Sequence, residues 1–167
     1  MALRQALTDW SKGDGLRGLW RLYRWRQQAR RQLPRDVLTF LLNRSACRHG
    51  GYIGPGAEIL GEPSLPHGLH GVYISRYAVI GPGCRIYQNV TIGEVHQKAP
   101  TIGANCLIGA GAVVIGGIHI GDGVTIGAGA VVAVDIPAGA TVVAQPPRIL
   151  RKGAPHGTEA GPGLAGN

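Results

Sequence analysis

Three of the six histidines in this chain, His67, His70 and His96, fall in two short stretches, "GEPSLPHGLHG" and "GEVHQKAP", where an otherwise regular sequence is interrupted. An imidazole titrates near pH 6.5, so at neutral pH it is mostly free to accept a proton from a hydroxyl group. Neutral imidazole is also a ligand for zinc. The two stretches are therefore candidate sites for general-base catalysis or for metal binding. His49, His119 and His156 lie outside these stretches and read as structural or solvated residues.

The elements that must position these side chains follow a six-residue beat. An aliphatic residue recurs at Ile102, Ile108, Val114, Ile120, Ile126 and Val132, usually followed by glycine, and the pattern reaches upstream through Ile92, Ile86, Ile80 and Ile74 to Ile59 and Ile53. The residue four further on is small or aliphatic each time, as at Cys106, Ala112, Ile118, Val124, Ala130 and Ile136. In an extended chain positions i and i+4 face the same way, and glycine lets the backbone turn a corner. Spacing of six does not match the i, i+3, i+4, i+7 pattern of a helix. The prediction is a parallel β-helix in which short strands stack coil on coil around an aliphatic core. The spacing itself does not decide its handedness.

The histidine stretches are the places where the beat fails. Ile59 to Ile74 is an interval of 15 where two hexads take 12, and Ile92 to Ile102 is 10 where one takes 6. In repeat scaffolds such insertions are where function usually sits, because loops on rigid coils can place side chains without disturbing the core. If a coil has three sides, the hexad at Ile92 lies over that at Ile74, and the loops leave from opposite ends of one side. At about 3.3 Å per residue this separates them by roughly 15 to 20 Å within one chain. A threefold axis would bring His96 of one chain toward His67 of its neighbour.

The chain divides by composition. Residues 1–50 carry 11 of the 17 Lys and Arg and 3 of the 9 acids, which accounts for the whole net charge of +8. Leu16, Leu19, Trp20 and Tyr23 recur at helical spacing beside Arg17, Arg21, Arg24 and Arg31, and Pro34 suits the first turn of a second helix bearing Val37, Leu38, Phe40, Leu41 and Leu42. This segment, which also holds Trp10, Trp20 and Trp25, is expected to cap the first coil or pack on a neighbouring subunit. Its basic face has three readings: a solvated surface, a contact with anionic lipid or a lipid-linked glycan, or nucleic-acid binding. Residues 51–145 form the expected β-helix and residues 146–167 a tail, flexible at its end. No secretory signal or membrane span is expected, and three cysteines, two at inward repeat positions, suggest buried thiols in a reducing cytoplasm.

Residues 53–152 resemble the hexapeptide-repeat acyltransferases, and among them the serine acetyltransferases, through "IYQNVTIG" at 86–93, "IGAGAVVIGGIHIGDGVTIGAGAVV" at 108–132 and "PPRILRKG" at 146–153. The resemblance implies an all-β repeat, a left-handed parallel β-helix with a short N-terminal helical segment, assembling as a homotrimer with sites between subunits. It implies acetyl-CoA as co-substrate and transfer of acetyl to a small-molecule hydroxyl, of serine or of a sugar in a surface polysaccharide or its precursor. His67 then matches the family's catalytic histidine, with His70 as the fallback base, and His96 lies near its second histidine. Ala110 and Ala128 match small residues beside the pantetheine chain, and Arg148 with Lys152 match a basic tail that pairs with CoA phosphates.

The chain departs from the serine enzymes where the amino acid is held. Pro66 and Tyr52 stand at the places of two aspartates, Val95 at that of an arginine, Gln145 at that of a glycine and Thr125 at that of a basic residue. Glu58, Glu62, Glu94 and Lys98 are the candidate substitutes. Two further readings stay open: a γ-carbonic-anhydrase-like metalloprotein using His67, His70 and His96, although that class's two-histidine spacing on one strand is missing, and a non-catalytic trimeric scaffold. The serine acetyltransferase reading predicts no metal.

Overall fold

A computed structural model describes residues 15–146. Arg148, Lys152, His156, Trp10 and the tail beyond residue 146 lie outside the described residues.

Among the described residues, thirteen short strands form three parallel sheets, one on each side of a triangular prism. Side A stacks β1 (Tyr52–Ile53), β3 (Tyr73–Ile74), β6 (Thr91–Gly93), β9 (Val113–Ile115) and β12 (Val131–Val132). Side B stacks β2 (Glu58–Ile59), β4 (Val79–Ile80), β7 (Thr101–Ile102) and β10 (His119–Ile120), and side C stacks β5 (Arg85–Ile86), β8 (Leu107–Ile108), β11 (Thr125–Ile126) and β13 (Thr141–Val142). Each coil visits A, B and C in turn. Ile74 pairs with Ile92, as a three-sided coil requires, and Ile92 in turn pairs with Val114.

The beat maps onto the core. Ile53, Ile74, Ile80, Ile86, Ile92, Ile102, Ile108, Val114, Ile120 and Ile126 are fully or almost fully buried, and the small residues four further on, such as Ala78, Cys84, Val90, Cys106 and Ala112, fill the space at the corners. Side chains one residue earlier point outward, where the three sides differ. Side A presents Tyr52, Tyr73, Thr91, Val113 and Val131, with the first two rings stacked at 5.0 Å. Side B presents Glu58, Val79, Thr101 and His119, and side C presents Arg85, Leu107, Thr125 and Thr141.

Two helices close the first coil: α1 (Arg17–Gln28) and α2 (Gln32–Arg48). Leu16, Leu19, Trp20 and Tyr23 are buried, as their spacing predicts. The Tyr23 hydroxyl donates to the Ala57 carbonyl at 2.7 Å and accepts from the Ile59 amide at 3.0 Å, which pairs backbone groups at the end of the stack. In α2 only Leu42 and Ala46 are buried, while Val37, Phe40 and Leu41 face outward.

Cys84 and Cys106 are buried free thiols one coil apart, each donating to a carbonyl, of Gly103 and Gly121 respectively, at 3.2 Å. Burial pushes the Cys84 thiol from its ordinary value of 9.0 up to about 11, and raises that of Cys106 in the same direction. Because the unfolded chain releases these protons first, stability declines as pH rises from 9 toward 11. A thiol reagent at pH 8 should therefore modify exposed Cys47 alone in the native protein and all three cysteines after denaturation. Counting modified thiols by mass checks this directly.

Candidate active site at two edges of the prism

The first interruption is smaller than its interval suggests. Ser64 pairs in parallel with Arg85, so the chain still takes its place on side C, and Leu65 packs partly buried against the core. Only the stretch from Pro66 to Val72 bulges, at the edge where side C turns into side A. Leu69 and Val72 anchor it, both fully buried, leaving His67 before them and His70 between them exposed. The His67 ring lies 5.9 Å from the ring of Tyr87, the residue immediately after β5.

The same edge carries the residues matched to the cofactor site. Ala110 and Ala128 follow β8 and β11, one coil apart, and the Gly129 amide donates to the Ala110 carbonyl at 2.9 Å. Gly111 and Gly129 next to them have φ of +68° and +69°, and a Cβ at either would meet nothing within 4 Å. Small side chains and open glycine corners leave this edge accessible to a slender ligand running along the backbone, which suits a pantetheine arm. Glycine is required at these corners by the positive φ, whatever the ligand.

The second interruption is a β-hairpin at the opposite edge, where side A turns into side B. Val95 and Lys98 exchange both backbone hydrogen bonds, at 2.9 and 3.1 Å, around a two-residue turn formed by His96 and Gln97. Both turn residues have positive φ, 51° and 62°, the type I′ arrangement that usually calls for Asn-Gly. Non-glycine residues in this region cost about 1 kcal/mol each. At the hairpin base the fully buried Ser75 hydroxyl donates to the Glu94 carboxylate and accepts from the Tyr77 amide at 3.2 Å. The imidazole at the tip is thus carried on a strained turn with a fixed root.

His96 and Lys98 line an open pocket of about 420 Å³ together with Val95, Ile115, Gly116, Gly117, Ile118 and Ala133. Its floor depends on Gly117, where a Cβ would lie 2.8 Å from Cβ of Lys98. Gly117→Val should displace the hairpin and cost about 1–3 kcal/mol in stability, as overpacking does. A denaturant titration measures the loss.

Within one chain, then, His67, Ala110 and Ala128 share the edge from C to A, and His96 and Lys98 share the edge from A to B. Side A lies between them. Of the carboxylates named as substitutes, Glu94 is tied to Ser75 and Glu62 pairs with Arg24 of α1. Among the described residues no group of three His, Cys, Asp or Glu side chains is placed to hold a metal. Tyr87 beside His67 and Ser75 beneath Glu94 were not singled out by sequence, because each lies about 20 residues from its partner and neither pairing leaves a local pattern.

Comparison with known proteins agrees with this architecture. Residues 99–133 match the family of bacterial transferase hexapeptide (six repeats), so the chain is a hexapeptide-repeat protein. Its β-helix is of the serine acetyltransferase-like kind. A serine acetyltransferase of Synechococcus elongatus is 39% identical over 134 residues, 78% of this chain and 53% of that protein. One of Staphylococcus aureus is 42% identical over 104 residues, 60% of this chain and 48% of the relative. Among solved structures, the serine acetyltransferase of Neisseria gonorrhoeae in complex with serine superposes with a TM-score of 0.69 at 32% identity, covering 77% of this chain and 54% of that one. An Entamoeba histolytica isoform in complex with cysteine gives 0.62 at 36% identity, covering 70% and 44%. This chain spans about half the length of the curated relatives it matches. The fold is accordingly a left-handed parallel β-helix with two helices at its N-terminal end, as the resemblance implied.

Proposed function

We propose that the protein transfers the acetyl group of acetyl-CoA to a hydroxyl oxygen, with serine as the first acceptor to test and a sugar hydroxyl of a surface polysaccharide or its precursor as the second. The carrying observation is the similarity of the whole β-helix to serine acetyltransferases, one of them solved with serine bound, combined with histidines at the two places where the repeat is interrupted. The sugar acceptor is kept because Pro66, Tyr52 and Val95 replace the charged residues that an amino acid's ammonium and carboxylate would need.

In this reading His67 is the general base. Its imidazole takes the proton of the acceptor hydroxyl as that oxygen attacks the thioester carbonyl, and the imidazolium returns the proton to the departing sulfur as the C–S bond breaks. The products are an acetyl ester and free CoA thiol, with no covalent enzyme intermediate. His96 of a neighbouring protomer donates a hydrogen bond to the tetrahedral oxyanion. CoA runs along the edge bearing Ala110 and Ala128, with its phosphates toward Arg148 and Lys152.

The assignment requires a homotrimer packed through side A. Side A has the most apolar exterior of the three, and both histidine-bearing excursions border it, so a threefold axis beside it joins one chain's edge to the opposite edge of the next. A cytoplasmic site follows from the need for acetyl-CoA and suits unpaired thiols. The test is thiol release from acetyl-CoA in the presence of serine, homoserine, simple sugars and nucleotide sugars. Acceptor-dependent release with a matching acetylated product supports the reading; hydrolysis that no acceptor accelerates overturns it.

A further inference from the structure

Helix α2 is apolar on two faces. Its inner face buries Leu42 and Ala46 against the end of the β-helix. Its outer face carries Leu33, Val37, Phe40 and Leu41, which are 79%, 54%, 65% and 42% exposed, in one stripe at spacings of four, three and one. The stripe continues into Arg44 and Arg48, which flank an open hollow of about 300 Å³ beside Phe40 and Cys47. Large apolar side chains aligned on an exposed helix face, and followed by cations, need a partner that is apolar within and anionic outside.

We propose that this outer face of α2 docks onto an anionic lipid bilayer, the apolar stripe entering the headgroup boundary and the arginines pairing with lipid phosphates. Charge complementarity carries the choice of partner. Residues 15–50 contain nine arginines, no lysine and a single acid, Asp36, so the helical end of the molecule is strongly cationic while residues 51–167 are neutral. On α1, Trp25 is half-exposed with the Arg21 guanidinium 5.2 Å from its ring, a pairing suited to a headgroup layer. Neither helix is long and apolar enough to cross a membrane, so the contact lies in the plane of the surface. A second copy of the chain fits this face poorly. It would bring two such cationic ends together, and four apolar residues fall well short of the roughly 20–30 residues a side that a stable interface uses. The proposal does not depend on the acyl-transfer reading.

The test is co-sedimentation of the full chain with vesicles of phosphatidylcholine alone or with about one third phosphatidylglycerol, at low and physiological salt. Binding to the anionic vesicles should exceed binding to neutral ones at least about tenfold and weaken with salt. Val37→Asp with Phe40→Asp should lower it by about tenfold or more, and Arg44→Glu by about fivefold, with melting temperature unchanged because all three residues are exposed. Absence of binding at low salt, equal binding to both vesicles, or binding indifferent to Val37→Asp with Phe40→Asp would overturn the proposal. So would vesicle-free self-association that Phe40→Asp abolishes, since that assigns the face to a second copy.

Discussion

His67→Ala is expected to lower kcat/KM for acetyl transfer by about 10²- to 10⁴-fold, the range a positioned general base contributes. The melting temperature and oligomeric state should stay unchanged, because the side chain is exposed and its neighbours Leu69 and Val72 hold the bulge in place. His70→Ala is the paired control. It should leave most of the rate intact, and a loss confined to His70→Ala would transfer the role of base to that residue.

Ile92→Ala carries the second large effect, on stability. Ile92 is fully buried at the centre of side A, paired with Ile74 below and Val114 above, so its loss opens a cavity between neighbouring coils. Truncating a buried isoleucine costs about 2–5 kcal/mol, a large part of the stability of a domain this size. Strand β6 also carries the root of the hairpin, since Gly93 ends the strand and Glu94 bonds to Ser75. Ile92→Ala should therefore lower activity at temperatures where the protein remains folded. Ile92→Val should cost only about 0.5–1.5 kcal/mol. Denaturant midpoints and initial rates on the same samples distinguish loss of fold from loss of alignment.

The fold was legible because one coil is three hexads, so the aliphatic period translates directly into stacked inward side chains. The register of Ile74 on Ile92 follows from counting. What counting hid lay within the interruptions. The interval from Ile59 to Ile74 reads as one long excursion, but Leu65 keeps its inward place and only the stretch after it departs, a distinction made by packing rather than by period. The hairpin at Val95 to Lys98 escaped notice because His-Gln carries none of the glycine or asparagine signal of a type I′ turn. In α2 apolar residues lie on both sides of the helix, so the pattern could not choose which side the β-helix covers. The proximity of Tyr87 to His67 comes from stacking adjacent coils, which no local motif encodes.

The central claim is that two excursions from opposite edges of the prism, contributed by adjoining protomers, complete one site. Subunit mixing tests it most directly. His67→Ala and His96→Ala chains, each impaired alone, would be unfolded together, refolded as mixed trimers and assayed for acetyl transfer. In a random mixture about one site in four pairs an intact His67 with an intact His96 across an interface, so activity should recover to about a quarter of wild type. Mixed trimers no more active than either parent would contradict a shared site and return both histidines to separate roles within one chain.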